Sequence, residues 1–249
     1  MTFHTLVYHE VRDSTDFNGA RNFDLLSQNN YQIKLPPHLY VTTNQFQEQM
    51  DFLVSEGFYF LTMKDIRKFY KGEIELSDKS VLITFDDAFQ STYYNAYPIL
   101  KKAGIKALLF IVSGWVFEDS SEMDINYSKV MSWEQVQLIL DVFELANHTH
   151  DLHHLSKPGI NSLMEADFRQ LEIDLNLCNH WLDHKDTFAY PFGFFDNSTV
   201  DKLLRLGINY AFTTQSNMNT KSTNQMALNR LLVHSQLSLD DFKQYLLGE

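Results

Sequence analysis

The stretch VLITFDDAFQ, residues 81–90, joins a run of strand-forming residues directly to two adjacent aspartates, Asp86 and Asp87. Adjacent carboxylates repel each other, and the loss of solvent at the end of a buried strand makes both charges more costly. A bound divalent cation would offset this repulsion and leave one aspartate as an ionised base. A solvated turn whose aspartate caps the next helix is the simpler alternative. This stretch alone leaves both interpretations open.

The rest of the chain alternates short apolar runs with helical patterns, which predicts a mostly parallel sheet with βα connections. The predicted strands are residues 5–8, 58–61, 80–85, 107–112, 143–146, 187–190, 210–213 and 228–233. The predicted helices are residues 43–56, 63–70, 91–103, 132–141, 162–183, 197–206 and 239–247. About eight strands favour a closed or nearly closed barrel over a small open sheet. The two aspartates should then lie on the rim formed by the carboxyl ends of the strands, where such barrels carry their chemistry.

Length and composition fit one domain. The 249 residues are 44% hydrophobic, and nothing in the chain resembles an inter-domain linker. Residues 12–37 are long, polar and poorly periodic, which predicts an insertion or lid at 12–40 after the first strand. The single cysteine, Cys178, excludes an internal disulfide framework.

Charge and hydropathy exclude two classes of partner. The formal net charge of −12 argues against nucleic acid. A neutral or cationic ligand fits better, although the same acidity also serves ordinary solubility. No run approaches the roughly 18 apolar residues of a transmembrane helix. The N-terminus, MTFHTLVYHEV, lacks a basic segment followed by an apolar one, so no signal peptide is predicted. Both a cytosolic and an exported location stay open.

A second motif adds metal-binding chemistry to the two aspartates. Four of the ten histidines, His148, His150, His153 and His154, follow a short apolar strand in FELANHTHDLHHL, residues 143–155. Neutral imidazole suits zinc and related metals. On a helix, His150 and His154 would share a face and could chelate. His148 and His153 would diverge by roughly 140° on a helix, and they converge only if an irregular turn separates them.

TFDD at 84–87 followed by HTHDLH at 148–153 resembles the polysaccharide deacetylases with NodB homology, carbohydrate esterase family four. The resemblance implies a distorted, partly open (β/α) barrel of about seven to eight strands. It also implies that Asp86 is the catalytic base and that Asp87, His148 and His153 bind one divalent metal. Zinc is the first candidate, with cobalt, nickel or manganese as alternatives. His150 and His154 then become neighbours of the site.

Other motifs extend the resemblance over most of the chain. LVYHEV, residues 6–11, is similar to the first strand of the subgroup that acts on poly-β-1,6-N-acetylglucosamine. FAYPFG, residues 188–193, stands at the third motif, so the resemblance implies that the backbone N–H of Phe192 binds the oxyanion. RLLVHSQ, residues 230–236, resembles the fifth motif and implies that His234 is the general acid. We also expect His9 and Tyr190 to contact substrate.

The sequence departs from the family pattern at three places. Ala88 replaces the usual glycine after the aspartates. Ala189 stands where the third motif has an arginine, so the hydrogen bond that orients the base must come from elsewhere. No Asp-Trp fourth motif is evident. These departures concern residues that would orient or surround the reacting groups. The reacting groups themselves are present.

The resemblance implies a metal-dependent hydrolase that releases acetate from an acetylated polysaccharide. The spacing His-Thr-x-x-x-His in HTHDLH favours poly-β-1,6-N-acetylglucosamine over other polymers. Peptidoglycan, chitin and xylan esters are the alternative substrates, because the reacting groups would be the same. A carbohydrate-binding protein that has lost catalysis is the alternative of a different class. The substrate class suggests action outside the cell or at its envelope.

Overall fold

The computed structural model describes residues 1–15 and 21–248. The strands are β1 (Thr2–Tyr8), β2 (Glu10–Arg12), β3 (Phe23–Leu26), β4 (Lys34–Leu35), β5 (Tyr40–Thr42), β6 (Tyr59–Phe60), β7 (Ser80–Asp86), β8 (Ala107–Ile111), β9 (Ser128–Lys129), β10 (Phe143–Asn147), β11 (Leu155–Lys157), β12 (Ile160–Asn161), β13 (His184–Ala189), β14 (Tyr210–Phe212), β15 (Asn219–Thr220) and β16 (Leu231–Leu232). The helices are α1 (Thr43–Ser55), α2 (Met63–Lys71), α3 (Tyr97–Ala103), α4 (Trp133–Leu138), α5 (Ser162–Glu165), α6 (Phe168–Asn179), α7 (Asn197–Arg205) and α8 (Leu239–Leu247).

The central sheet is parallel in the order β14-β13-β10-β8-β7-β1. The strand β16 runs parallel to β1 on its other side, and β15 pairs antiparallel with the start of β1. The chain just before β16 also reaches the opposite edge, because Leu228 bridges Phe212 of β14. This short contact is a single bridge and not a ladder, so the sheet is a distorted, partly open barrel, as predicted.

All eight predicted strand regions contribute to this sheet, although the region 228–233 keeps ladder pairing only at Leu231–Leu232. The predicted helix 162–183 is wrong as a single element. It divides into α5 and α6 because Ala166 is extended, with ψ 134°, and the Asp167 side chain accepts a hydrogen bond from the N–H of Gln170. A capping aspartate begins a new helix here despite the continuous apolar periodicity.

The predicted helix 91–103 is also divided. A π-helical turn, Thr92–Ala96, precedes α3, and proline lies at the start of α3, where its missing N–H costs no hydrogen bond. Among residues 1–15 and 21–248, no helix combines the length and the apolar composition needed to cross a bilayer.

The described part of the predicted insertion 12–40 packs as short strands at the carboxyl end of the sheet; residues 16–20 of it lie outside the described residues. Strand β3 pairs with β4 and with β9, and Phe23, Leu25 and Leu35 are buried. This segment is therefore tied into the body of the structure, and its role as a lid stays a prediction, as does the single-domain interpretation.

A buried ion pair anchors this region. Arg12 is fully buried, donates to Glu10 at 3.1 Å, and donates to the carbonyl oxygens of Tyr127 and Ile125 at 3.1 and 2.6 Å. Its guanidinium also lies 3.8 Å from the centre of the Phe23 ring. One side chain thus holds together β2, β3 and the loop before β9.

We predict that Arg12→Met lowers the free energy of unfolding by about 3–5 kcal/mol, because Glu10 is left as a buried, unpaired charge. Denaturant unfolding would measure this loss. Adding Glu10→Gln to Arg12→Met should restore part of it. The matched control is Arg21→Met, because Arg21 also lies over the Phe23 ring, at 4.8 Å, but is exposed. Equal losses for Arg12→Met and Arg21→Met would contradict this account.

Candidate active site

The two aspartates lie at the end of β7 in a tight turn. Asp86 is the last residue of the strand, and Asp87 and Ala88 both have positive φ, at 71° and 58°. The left-handed conformation suits glycine, which explains why the family pattern has glycine where this chain has Ala88. The turn aims both carboxylates into the barrel end, where they are 2–3% exposed.

The three predicted metal ligands, Asp87, His148 and His153, converge. The Nε2 atoms of His148 and His153 lie 3.2 Å apart, and Oδ1 of Asp87 lies 3.6 and 3.5 Å from them. All three side chains are buried. The irregular turn that the sequence required between the histidines is present, with Thr149 at φ 77°.

The donor atoms of this triad fit a divalent cation. The His148 Nδ1–H donates to the carbonyl oxygen of Ala189 at 2.8 Å, so the neutral ring presents a lone pair at Nε2. Oδ1 of Asp87 is buried without a hydrogen-bond partner among the described residues. Carboxylate and imidazole are ligands that zinc accepts.

The protonation states favour the same conclusion. Burial lowers the pKa of His148, and burial together with the nearby His148 holds the pKa of His153 well below its usual range. Both rings are therefore neutral, the form that binds metal. Burial, and then the charge of Asp86, raises the pKa of Asp87 well above normal. A bound cation would offset that penalty.

The other two histidines of the cluster face elsewhere. His150 Nδ1 lies 2.9 Å from the hydroxyl of Ser113. The ring of His154 packs on Tyr31 at 4.2 Å between centres. The alternative pair suggested by helical spacing therefore does not form, because the segment is not a helix.

Arg230 orients Asp86. Its Nη1 and Nη2 donate to the two carboxylate oxygens at 2.7 and 2.8 Å, and its Nε donates to the carbonyl oxygen of Thr213 at 2.8 Å. Burial alone would raise the pKa of Asp86, but the charge and the hydrogen bonds of Arg230 outweigh burial and lower it to about 2. Asp86 is therefore ionised at neutral pH.

Sequence reasoning missed this role of Arg230, although the residue opens the quoted motif RLLVHSQ. It supplies the interaction that Ala189 cannot provide at the position of the missing arginine. A basic residue inside a predicted barrel strand was the available signal, because a charge buried there needs an anionic partner.

A cavity of about 360 Å³ opens above these groups. Asp86 and the triad form part of its lining. Its lining also includes Ile33, Lys34, Leu35, Pro36, His38 and Leu39 from the predicted insertion. The insertion therefore supplies one wall of the candidate active site.

The remaining predicted site residues lie in different positions. His9, Tyr190 and Phe192 line the cavity. Tyr190 is only 1% exposed, its ring stacks on Phe195, and its hydroxyl donates to the carbonyl oxygen of Met226. Its contact with a sugar stays a prediction.

His234 is not among the described residues that line the cavity. Burial, with a smaller effect of the nearby His38, lowers its pKa. Its role as general acid stays a prediction.

His9 should make the fold sensitive to acid. Burial, only partly offset by Asp86, lowers its pKa to about 4 in the folded protein, from about 6.5 when unfolded. The unfolded chain therefore takes up this proton first, and stability falls as the pH drops from about 6.5 towards 4.

We predict that the free energy of unfolding of chelator-treated wild type falls between about pH 7 and pH 5. In chelator-treated His9→Gln this fall should be smaller by about 1–2 kcal/mol. Denaturant unfolding at both pH values measures this difference. His180→Gln is the control, since His180 is exposed and should keep the wild-type dependence. If His9→Gln follows the wild-type curve, the partly buried, neutral His9 is not a source of acid sensitivity.

Comparison with known proteins places this geometry in a family. The sequence model described as polysaccharide deacetylase matches residues 73–211. A poly-β-1,6-N-acetyl-D-glucosamine N-deacetylase of Staphylococcus aureus is 32% identical over 234 residues, which cover 92% of this chain and 77% of that protein.

Solved structures agree with this result. IcaB from Ammonifex degensii superposes with a TM-score of 0.74 at 26% identity, covering 99% of this chain and 96% of that one. The Streptococcus pyogenes deacetylase PplD has a TM-score of 0.77 at 20% identity, covering 99% and 98%, and supports the fold alone. The extent of the match to the family model and to the S. aureus relative shows that this chain belongs to the polysaccharide deacetylase family.

Proposed function

We propose that this enzyme hydrolyses the N-acetyl groups of poly-β-1,6-N-acetyl-D-glucosamine and releases acetate. The observation that carries the proposal is the pairing of an ionised, arginine-held Asp86 with the triad Asp87, His148 and His153 in one cavity. The similarity to the N-deacetylase of S. aureus supports this choice of substrate.

The two adjacent aspartates would divide the work. Asp86 is held by two hydrogen bonds from Arg230 and is ionised, so it suits the role of general base that takes a proton from the attacking water. Asp87 keeps an unpartnered oxygen directed towards the two imidazoles, which suits a metal ligand.

The family is metal-dependent, and this chain has a triad able to hold one divalent ion. We propose zinc, with cobalt, nickel or manganese as alternatives. Such an ion supplies Lewis-acid chemistry, polarising a carbonyl and lowering the pKa of water.

Phe192 is positioned to help stabilise the oxyanion. It lies in the cavity wall with φ 59°, and its ring is 4.4 Å from that of His153. Gly193 follows with φ 73°, and a Cβ there would lie 2.2 Å from Oγ1 of Thr214. This tight turn keeps the backbone of Phe192 at the cavity, where its N–H could donate to the developing negative charge.

Cleavage of the amide transfers the acetyl group to water and leaves an amine that needs a proton. We assign this proton to His234, whose Nδ1 has no hydrogen-bond partner among the described residues. The product amine would be cationic near neutral pH, and the net charge of −12 would accommodate it.

The first test is acetate release from β-1,6-linked N-acetylglucosamine oligomers by chelator-stripped and by zinc-reloaded protein. We expect release only after reloading. Reloaded Asp86→Asn should retain bound metal and lose about 10²–10⁴-fold in turnover, because it lacks a base for the water. Full turnover by metal-loaded Asp86→Asn would show that Asp86 is not the base.

The other outcomes separate the alternatives. Release from chitin or peptidoglycan fragments, without release from β-1,6-linked oligomers, would keep the deacetylase and reject the substrate. Sugar binding without release from any of these polymers, with metal bound, would instead identify a carbohydrate-binding protein.

A second prediction concerns Arg230. We expect Arg230→Met to lower turnover by at least about 100-fold while changing KM little, because the unpaired base loses both its orientation and its ionised state. Arg230→Lys keeps the charge but not the paired hydrogen bonds, so its turnover should lie between those of wild type and Arg230→Met. Steady-state kinetics measure the effect, with unfolding curves to confirm that each variant is folded. Wild-type turnover in folded Arg230→Met would remove Arg230 from the mechanism.

A further inference from the structure

The two proposed histidine ligands are five residues apart, and no regular element brings side chains at that spacing together. Yet the Nε2 atoms of His148 and His153 lie 3.2 Å apart. The intervening turn, residues 149–152, must therefore be held by the structure around it.

One carboxylate accepts the N–H groups on one side of this turn. Oδ1 of Asp174 accepts from His150 at 2.8 Å, and Oδ2 accepts from Asp151 and Leu152 at 2.7 and 3.1 Å. Asp174 lies on α6 and is only 6% exposed. Three consecutive N–H groups directed at one anion form a concave backbone site.

The carbonyl groups of the same turn are held from the opposite side. The N–H groups of Ser113 and Gly114 donate to the carbonyl oxygens of Thr149 and His150, at 3.2 and 2.9 Å. A Cβ on Gly114 would lie 2.5 Å from the carbonyl oxygen of His150, closer than such atoms approach. The glycine is therefore required by the close passage of the turn.

Helix α6 also holds the entry to the turn. Oδ1 of Asn147 accepts from the N–H of Thr149 at 2.7 Å, and its Nδ2 donates to Oδ1 of Asn179 at 2.9 Å. The hydrogen bond from the Thr149 N–H to Asn147 supports the left-handed conformation of Thr149, at φ 77°. The helix thus fixes the turn at its start and along its N–H groups.

We propose that Asp174 is a positioning residue of the metal site, which acts by setting the convergence of His148 and His153. It does not line the cavity described above, and within the described part of the chain no hydrogen bond or ion pair joins it to the triad. The inference rests on the proposed metal-dependent function, because the triad has its role there.

The experiment measures metal affinity of the full chain in the absence of substrate. Co²⁺ is titrated into chelator-stripped protein and followed by its visible absorption, and Zn²⁺ affinity follows from competition. We expect Asp174→Asn to bind both ions about 10–100-fold more weakly, with an altered Co²⁺ spectrum. Its amide NH₂ would face backbone donors in place of an acceptor.

Two further variants make the result specific. Glu172→Gln is the matched control, since it removes the same charge from the same helix but its carboxylate is paired with Arg169. It should keep wild-type affinity and spectrum. Gly114→Ala presses on the turn from the opposite side and should weaken metal binding without any change at Asp174.

Circular dichroism and unfolding curves establish that each variant is folded. Wild-type affinity and spectrum in folded Asp174→Asn would overturn the proposal; if that variant does not fold, wild-type affinity in Gly114→Ala would overturn it instead. Failure of the wild-type chain to bind either ion would also overturn it. Because no substrate is present, failure of the wild-type protein to release acetate would count against the proposed function and leave this inference standing.

Discussion

Two carboxylates buried side by side are the constraint on which the rest of the site depends. Asp86 and Asp87 are almost fully buried at the end of a central strand, where their charges repel and solvent cannot screen them. The protein gives the two carboxylates different partners. Arg230 neutralises Asp86 with two hydrogen bonds, and Asp87 faces two neutral imidazoles. One carboxylate is thus kept as a base, and the other has an oxygen free for a cation.

Sheet order explains how these groups meet. Asp86 ends β7 and Asp87 follows it, and β8 separates that strand from β10, which His148 follows directly. Arg230 arrives from the chain just before β16, which pairs with β1 on the other side of β7. Since parallel strands present their carboxyl ends at one edge, side chains more than 140 residues apart in sequence come within hydrogen-bonding distance.

The supporting elements are as specific as the reacting groups. Helix α6 and the turn around Gly114 hold the histidine turn from opposite sides. The segment before β5 forms one wall of the cavity. The buried Arg12 of β2 helps to hold this segment, because its guanidinium packs on Phe23 of β3. Each support satisfies backbone or charged groups that would otherwise be buried without partners, so the site and the stability of this end of the barrel share the same interactions.

The sequence by itself determined the barrel class, the position of the aspartates and the cluster of histidines, because alternating apolar periodicity and strand-end motifs are local properties. It did not determine which histidines converge: helical spacing favoured His150 with His154, and only the resemblance favoured His148 with His153. It also left open what replaces the arginine absent at Ala189. Only the tertiary structure decided these points, since Arg230 and Asp174 act on Asp86 and on the histidine turn through contacts between distant segments. A pattern of neighbouring residues does not predict such contacts, because they form only when the strands and helices pack together.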